Sequence, residues 1–306
     1  MRNFAINCEL CIMNYALSIL IPTYNDLCVN LVDNLRQQAE AVGVMYEILV
    51  GDDGSTDVGV VADNKQIEQW EHCRYLIQPQ NAGRAAIRNI LAKKAQYDWL
   101  LFIDSDMTVV RPDFISQYVA QEDADIIDGG VSIGGDAEVL KNNLRYLYEK
   151  ASEHEHTVEM RQKRPYQDFH TANFLIRRDL MRSHPFDERF RYYGYEDVLF
   201  GKTLKADGIK IKHIDNPLGF NTFEDNPSFI AKTEEGLRTL HTFRQELRGY
   251  SRLLTFIEGI HIPPILSLIR CWHRLFGKWE RRNLCGGHPS LRLFSLYKIG
   301  YYLTIK

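Results

Sequence analysis

No run of 18 apolar residues, the least that suggests a membrane-crossing helix, occurs in the 306-residue sequence. Paired CxxC zinc spacing is also missing. The six cysteines stand at 8, 11, 28, 73, 271 and 285, and the one close pair, Cys8 and Cys11, has no second half. They read as ordinary thiols in a reducing compartment. Internal repeats and low-complexity tracts are absent, which excludes a collagen-like rod and a disordered polymer. An excess of positive charge is lacking too: Lys+Arg total 37 against 40 Asp+Glu, for a net charge of −3. That balance argues against a general nucleic-acid binder. Finally, the N-terminus has no clean signal-peptide core, because Asn3, Asn7, Glu9 and Asn14 interrupt it. We read residues 1–16 as an extension, its first twelve residues dispensable, and expect a cytoplasmic protein.

What is present is ordinary globular material, with 45% hydrophobic, 11% aromatic and 25% charged residues. The length allows one large α/β domain or two smaller ones. Charge is unevenly spread: residues 238–306 hold 12 Lys+Arg against 3 Asp+Glu, so the rest of the chain is acidic. Through the first 130 residues, short apolar runs at 17–21, 46–50, 74–77 and 99–103 alternate with helix-like stretches at 26–42, 59–70 and 81–95. This rhythm predicts a mostly parallel sheet with helices on both faces. Residues 137–235 look less regular, and after about Thr233 the pattern turns helical.

In parallel sheets ligands gather at the carboxyl ends of the strands. Here those ends are polar: Pro22-Thr23-Tyr24-Asn25, then Asp52-Asp53-Gly54-Ser55-Thr56-Asp57, then Asp104-Ser105-Asp106. Two carboxylates two residues apart repel unless a cation lies between them or one is protonated. Such hard oxygens suit Mg²⁺ or Mn²⁺. Taken singly, each cluster reads equally well as a turn with a helix cap. Arg84 and Arg88 share a helical face that could meet a diphosphate. Glu196-Asp197 ahead of an apolar turn is either a helix cap or a general base.

Together these clusters resemble the family-2 glycosyltransferases of the GT-A fold. Ser18-Ile-Leu-Ile-Pro-Thr-Tyr-Asn25, Val50-Gly-Asp-Asp-Gly-Ser-Thr-Asp57, Asn81-Ala-Gly-Arg84, Phe102-Ile-Asp-Ser-Asp106, Asn173-Phe-Leu-Ile-Arg-Arg178 and Gly194-Tyr-Glu-Asp197 follow the family's order and spacing over residues 17–235. The resemblance implies an α/β GT-A domain over 17–235, with a basic helical region over 236–306. It implies an inverting, metal-dependent hexosyl- or hexosaminyltransferase using a nucleotide-diphosphate sugar, with a UDP-sugar favoured. Pro22, Thr23, Tyr24, Asn25, Arg84, Arg88, Asp104 and Ser105 would then hold the donor, and Asp52 or Asp53 its base. Asp104 and Asp106 would hold Mn²⁺ or Mg²⁺. Asp197 would be the catalytic base, with Glu196 beside it.

One departure concerns the metal. Many relatives carry a ligating His a few residues after the Asp-Asn-Pro that here is Asp215-Asn216-Pro217, where this chain has Gly219-Phe220-Asn221. The resemblance further implies a glycan or lipid-linked acceptor, in surface polysaccharide synthesis. For the basic tail two readings stand: a helical cap or homodimer contact, and a peripheral contact of 250–306 with the inner face of an anionic membrane. Two rival functions share parts of this pattern. A sugar-nucleotide-making nucleotidyltransferase lacks its Gly-rich signature here, as it lacks GxxxxGK[ST]. A catalytically degenerate sugar-nucleotide-binding or scaffold protein is the alternative.

Overall fold

The computed structural model describes residues 15–121, 123–260 and 263–306. Residues 1–14 of the expected N-terminal extension, with the Cys8/Cys11 pair, lie outside the described residues.

Strands β1 (Ala16–Thr23), β2 (Met45–Asp52), β3 (Cys73–Ile77) and β4 (Trp99–Ile103) form the parallel half of a seven-stranded sheet. β1, β2 and β4 are built around β-branched, aromatic and leucine side chains, as a strand buried on both faces requires, whereas the edge strand β3 leaves Arg74 and Ile77 exposed. Along β1 successive side chains enter opposite layers. Ile19 and Ile21 pack with Leu31 and Leu35 of helix α1 (Val29–Val42). Leu20 packs instead with Leu91 of a helix on the other face. Complete burial of each such side chain contributes about 1.5–3 kcal/mol.

Beyond β4 the sheet changes direction. A second, three-stranded sheet contains β5 (Met107–Val109), β7 (Val131–Ile133) and β10 (Leu218–Phe220). In the main sheet β8 (Asn173–Arg177) lies antiparallel between β4 and β6 (Ile126–Asp128), and β9 (Ile211–His213) forms the far edge, giving the order β3-β2-β1-β4-β8-β6-β9. Ile103 pairs with Asn173, so the end of β4 meets the start of β8. The sheet is α/β and mostly parallel, as expected.

The remaining helices are α2 (Val58–Asn64), α3 (Arg84–Lys94), α4 (Phe114–Val119), α5 (Ala137–Leu140), α6 (Leu144–Ser152), α7 (Val158–Lys163), α8 (Arg178–Ser183), α9 (Glu196–Ala206), α10 (Asn226–Thr242), α11 (Arg252–Gly259), α12 (Pro263–Leu284) and α13 (Leu291–Thr304). Residues 137–235 are therefore more regular than their sequence suggested. Helices of four to eleven residues are too short to display a 3.6-residue repeat. Helix α10 begins before Thr233 because Asp225 caps it, its side chain accepting from the Ser228 N–H at 2.7 Å. Its turns run without a break through Gly236. The Pro263-Pro264 pair opens α12, where proline suits the first turn.

Two small clusters fix the C-terminal helices to the body. Phe294 and Tyr297 of α13 join Phe229 and Ile230 of α10 and Leu144 of α6. Leu237 and Leu240 of α10 join Leu254 of α11, Tyr302 of α13 and Phe190.

Candidate active site

The loops after β1 and β2 are sewn together by one side chain. Asn25 sits at φ +53°, a left-handed conformation that Asn tolerates better than most residues. In that pose its Oδ1 accepts from the backbone N–H groups of Thr56 and Asp57, at 2.8 and 2.9 Å, while its own N–H donates to Ser55 Oγ at 2.8 Å. Asp57 then caps α2, accepting from Gly59 and Val60. Asn25 thus lines the cavity and also positions the loop.

The two aspartates that end β2 part company. Asp52 is fully buried; it accepts from the Ser55 N–H at 2.7 Å and from the Tyr75 hydroxyl. Asp52 is not among the residues that line the cavity at this edge, whereas Asp53 is. Asp53, the next residue, accepts from Ala82 N–H and Gly83 N–H, both at 2.9 Å. Burial pushes its carboxyl above the ordinary value, against the pull of those two N–H groups. Gly83 has φ +97°, and a Cβ there would lie 2.7 Å from the Arg191 carbonyl oxygen, so glycine is required.

A cavity of about 520 Å³ opens at this edge. Pro22, Thr23, Tyr24, Asn25, Asp53, Arg84, Arg88, Asp104, Ser105 and Asp106 all line it, brought together from the ends of β1, β2 and β4 and the start of α3. Arg84 stands in its wall with the guanidinium 5.0 Å from the Tyr193 ring centre. Arg88 differs from the expectation. It is 1% exposed, and its guanidinium is committed to Asp104 at 2.7 Å and Glu196 at 3.2 Å rather than held free for a diphosphate.

At the end of β4 the carboxylates are crowded. Burial, with Asp104 two residues away, pushes Asp106 up to about 6, Arg84 opposing the shift. This donor set fits a hard divalent cation that relieves the repulsion and completes its shell with ligand oxygens and water. Among the described residues no three His, Cys, Asp or Glu side chains stand ready as a metal cluster. Phe220, where the resemblance would place a His, is buried beneath the Arg145 guanidinium at 5.2 Å and packs edge-on to Phe223 at 4.8 Å. It pairs with Met107 across the β10–β5 ladder, one residue beyond Asp106.

Glu196 and Asp197, the first residues of α9, are not among those lining the cavity. Glu196 is joined to Asp104 through Arg88. Tyr195 enters α9 at φ +71°. The Asp197 carboxylate accepts the Val198 N–H at 2.7 Å. Burial first, then the charge of Glu196, pushes it up to about 7.

Several cavity residues had no part in the sequence reading of the site: Asp26, Arg191, Tyr192, Tyr193, Thr222, Glu224, Lys232 and Glu235. Asp26 follows Asn25 directly, and its Oδ2 is buried with no hydrogen-bond partner. Tyr193 was within reach, standing in the same string as Glu196-Asp197. Arg191, Tyr192, Thr222 and Glu224 lie on loops, and Lys232 and Glu235 on helix α10, all brought here only by the fold.

The sequence model of Glycosyl transferase family 2 matches residues 18–185, more than half of the chain. The chain belongs to this family. Among family members with curated descriptions, a hyaluronan synthase of Pasteurella multocida is 27% identical over 291 residues, which cover 82% of this chain and 29% of that protein. An uncharacterized glycosyltransferase of Haemophilus influenzae is 36% identical over 93 residues, 29% of this chain and 36% of that one. The chain spans about a third of the length of these relatives. Among solved structures, the mannosyltransferase PcManGT from Pyrobaculum calidifontis, in complex with GDP-Man and Mn²⁺, superposes with a TM-score of 0.56 at 14% identity. The match covers 99% of this chain and 92% of that one. This likeness establishes the GT-A fold for the family member described here.

Proposed function

We propose that the chain is an inverting glycosyltransferase that moves a sugar from a nucleotide-diphosphate sugar to a hydroxyl of a glycan or lipid-linked acceptor. The observation that carries this reading is the convergence of Asp53, Asp104, Asp106 and Arg84 on one cavity at the carboxyl edge of the sheet. The loop pinned by Asp53 faces the nucleotide, while Arg84 lies beside the departing diphosphate. Bound at Asp104 and Asp106, a divalent cation supplies positive charge to that diphosphate. Asp197 takes the proton from the acceptor hydroxyl, whose oxygen attacks the anomeric carbon from the face opposite the leaving group. An ionisation near neutrality suits this task. Glu196 and Arg88 hold the base in register with Asp104.

Donor chemistry belongs to residues 17–235 and attachment to residues 236–306. The donor we test first is a UDP-hexose or UDP-hexosamine, and we assign the product to surface polysaccharide. Relatives named for glycan polymers support that assignment, a chondroitin synthase of Pasteurella multocida matching 83% of the chain at 26% identity. A cytoplasmic site agrees with the free thiols of Cys28, Cys73, Cys271 and Cys285. Phe220 favours a second reading, a sugar-nucleotide-binding protein without turnover.

Thermal unfolding with UDP, GDP, CMP or dTDP, each with Mn²⁺ or with EDTA, tests the assignment. A nucleotide at a hundred times its dissociation constant adds about 2.7 kcal/mol. The expected outcome is a shift with one nucleotide that needs the metal, with release of that nucleotide from its sugar conjugate. Stabilisation without release selects the second reading. No shift with any of the four removes both.

A further inference from the structure

Helix α12 presents an apolar stripe that none of the other described residues covers. Ile265, Leu268, Trp272, Leu275, Phe276 and Trp279 are all exposed, Leu268 by 68% and Leu275 by 72%. They recur at three- and four-residue intervals, so they occupy one face. The opposite side of the helix is firmly seated. Gly300 of α13 approaches so closely that a Cβ would lie 2.6 Å from His273 Cβ. Glu280, the one acidic residue of α12, is fully buried there; it accepts from Trp272 Nε1 at 2.8 Å and pairs with His273 Nδ1 at 2.7 Å.

With its acid turned inward, the exposed surface of α12 carries Arg270, Arg274, Lys278, Arg281 and Arg282 and no carboxylate. Among the described residues only Arg281 has an acidic partner, Glu234 at 2.8 Å. Arg274, Lys278 and Arg282, four residues apart, form a row of cations beside the stripe. A second copy docked stripe to stripe would bring two such rows together, which is repulsive. An anionic lipid surface satisfies both features, because the stripe enters the headgroup boundary while the cations meet lipid charge. Tryptophan is the aromatic side chain that favours this boundary. No described helix is long and apolar enough to cross a membrane.

We propose that α12 lies in the plane of an anionic membrane surface and docks the protein there, whatever reaction its cavity performs. Sedimentation of the full chain with vesicles of equal parts phosphatidylglycerol and phosphatidylcholine, against phosphatidylcholine alone, tests this. The protein is expected to sediment with the anionic vesicles only. Arg274→Ser with Lys278→Ser should weaken partition about fivefold per charge removed, and Leu275→Glu about tenfold or more. All three residues lie outside the cavity and are solvent-exposed. Thermal unfolding of each variant should match the parent, and the charge variant keeps the test valid if Leu275→Glu does not fold. Three outcomes overturn the proposal: equal binding to neutral vesicles, no binding to either, or a dimer by light scattering that Leu275→Glu dissociates.

Discussion

The carboxylates that close β2 and those that close β4 sit on one sheet edge in opposite electrostatic conditions. Asp52 and Asp53 are surrounded by donors: three backbone N–H groups and a tyrosine hydroxyl. Among the described residues, Asp104 and Asp106 have one strong protein donor between them, the Arg88 guanidinium on Asp104. The first pair builds the loops, and its charge is satisfied within the fold. The second pair is left short of positive charge, which is the condition of a site that expects a cation or an anionic ligand with its counter-ion. Arg88 reaches the second group from behind and links it to Glu196.

The comparison breaks most severely at Arg88. Replacing it by Met leaves Asp104 and Glu196 without their buried partner, and losing one side of a buried ion pair costs about 3–5 kcal/mol. Chemical denaturation should show a loss of that size, and a loss under 1 kcal/mol would mean the two carboxylates relax into solvent. Next in size is Asp197→Asn, expected to lower transfer about 10²–10⁴-fold while nucleotide-dependent thermal stabilisation persists. Unchanged turnover would remove Asp197 as the base.

The same residue gives a pH signature. Its folded carboxyl titrates near 7, above the ordinary value of 3.8. Between about 4 and 7 the folded state therefore holds a proton that the unfolded chain has released, so this group's contribution to stability falls as pH rises through that window. Turnover moves the other way, rising toward 7 as the base ionises. Opposed slopes in unfolding and in rate, both absent in Asp197→Asn, are the expected result. The smallest effect belongs to the satisfied pair. Asp53→Asn, which keeps one acceptor for the Ala82 and Gly83 N–H groups, should cost about 1–3 kcal/mol and leave the cation site intact.

The ends of β1, β2 and β4 were legible because each strand is a short apolar run followed by a polar stop, Thr23-Tyr24-Asn25, Asp52-Asp53 or Asp104-Ser105-Asp106, and those stops hold the chemistry. The choice between Asp52 and Asp53 was not legible. It depends on Thr23 pairing with Asp52 and on the segment at Ala82–Gly83 lying under Asp53, both long-range facts. The role of Arg88 was hidden for a similar reason, since its partner Glu196 is 108 residues away. Phe220 could be noticed as a departure, but not that the Arg145 guanidinium covers it, because α6 and β10 meet only in the fold. The tail's helical character was readable from composition. Which helix stays uncovered was not, as α13 is equally rich in apolar residues and buries Phe294 and Tyr297.

The uncovered stripe also sets the optical properties of the chain. Of its four tryptophans, Trp99 is buried beneath Arg177 and Trp70 is half-buried beside Arg36, whereas Trp272 and Trp279 stand in solvent on α12. Aqueous quenchers therefore reach the α12 indoles first, and the long-wavelength side of the emission reports that helix. Trp99, inside the sheet, supplies a steady background against which any new environment around α12 is read without attaching a dye.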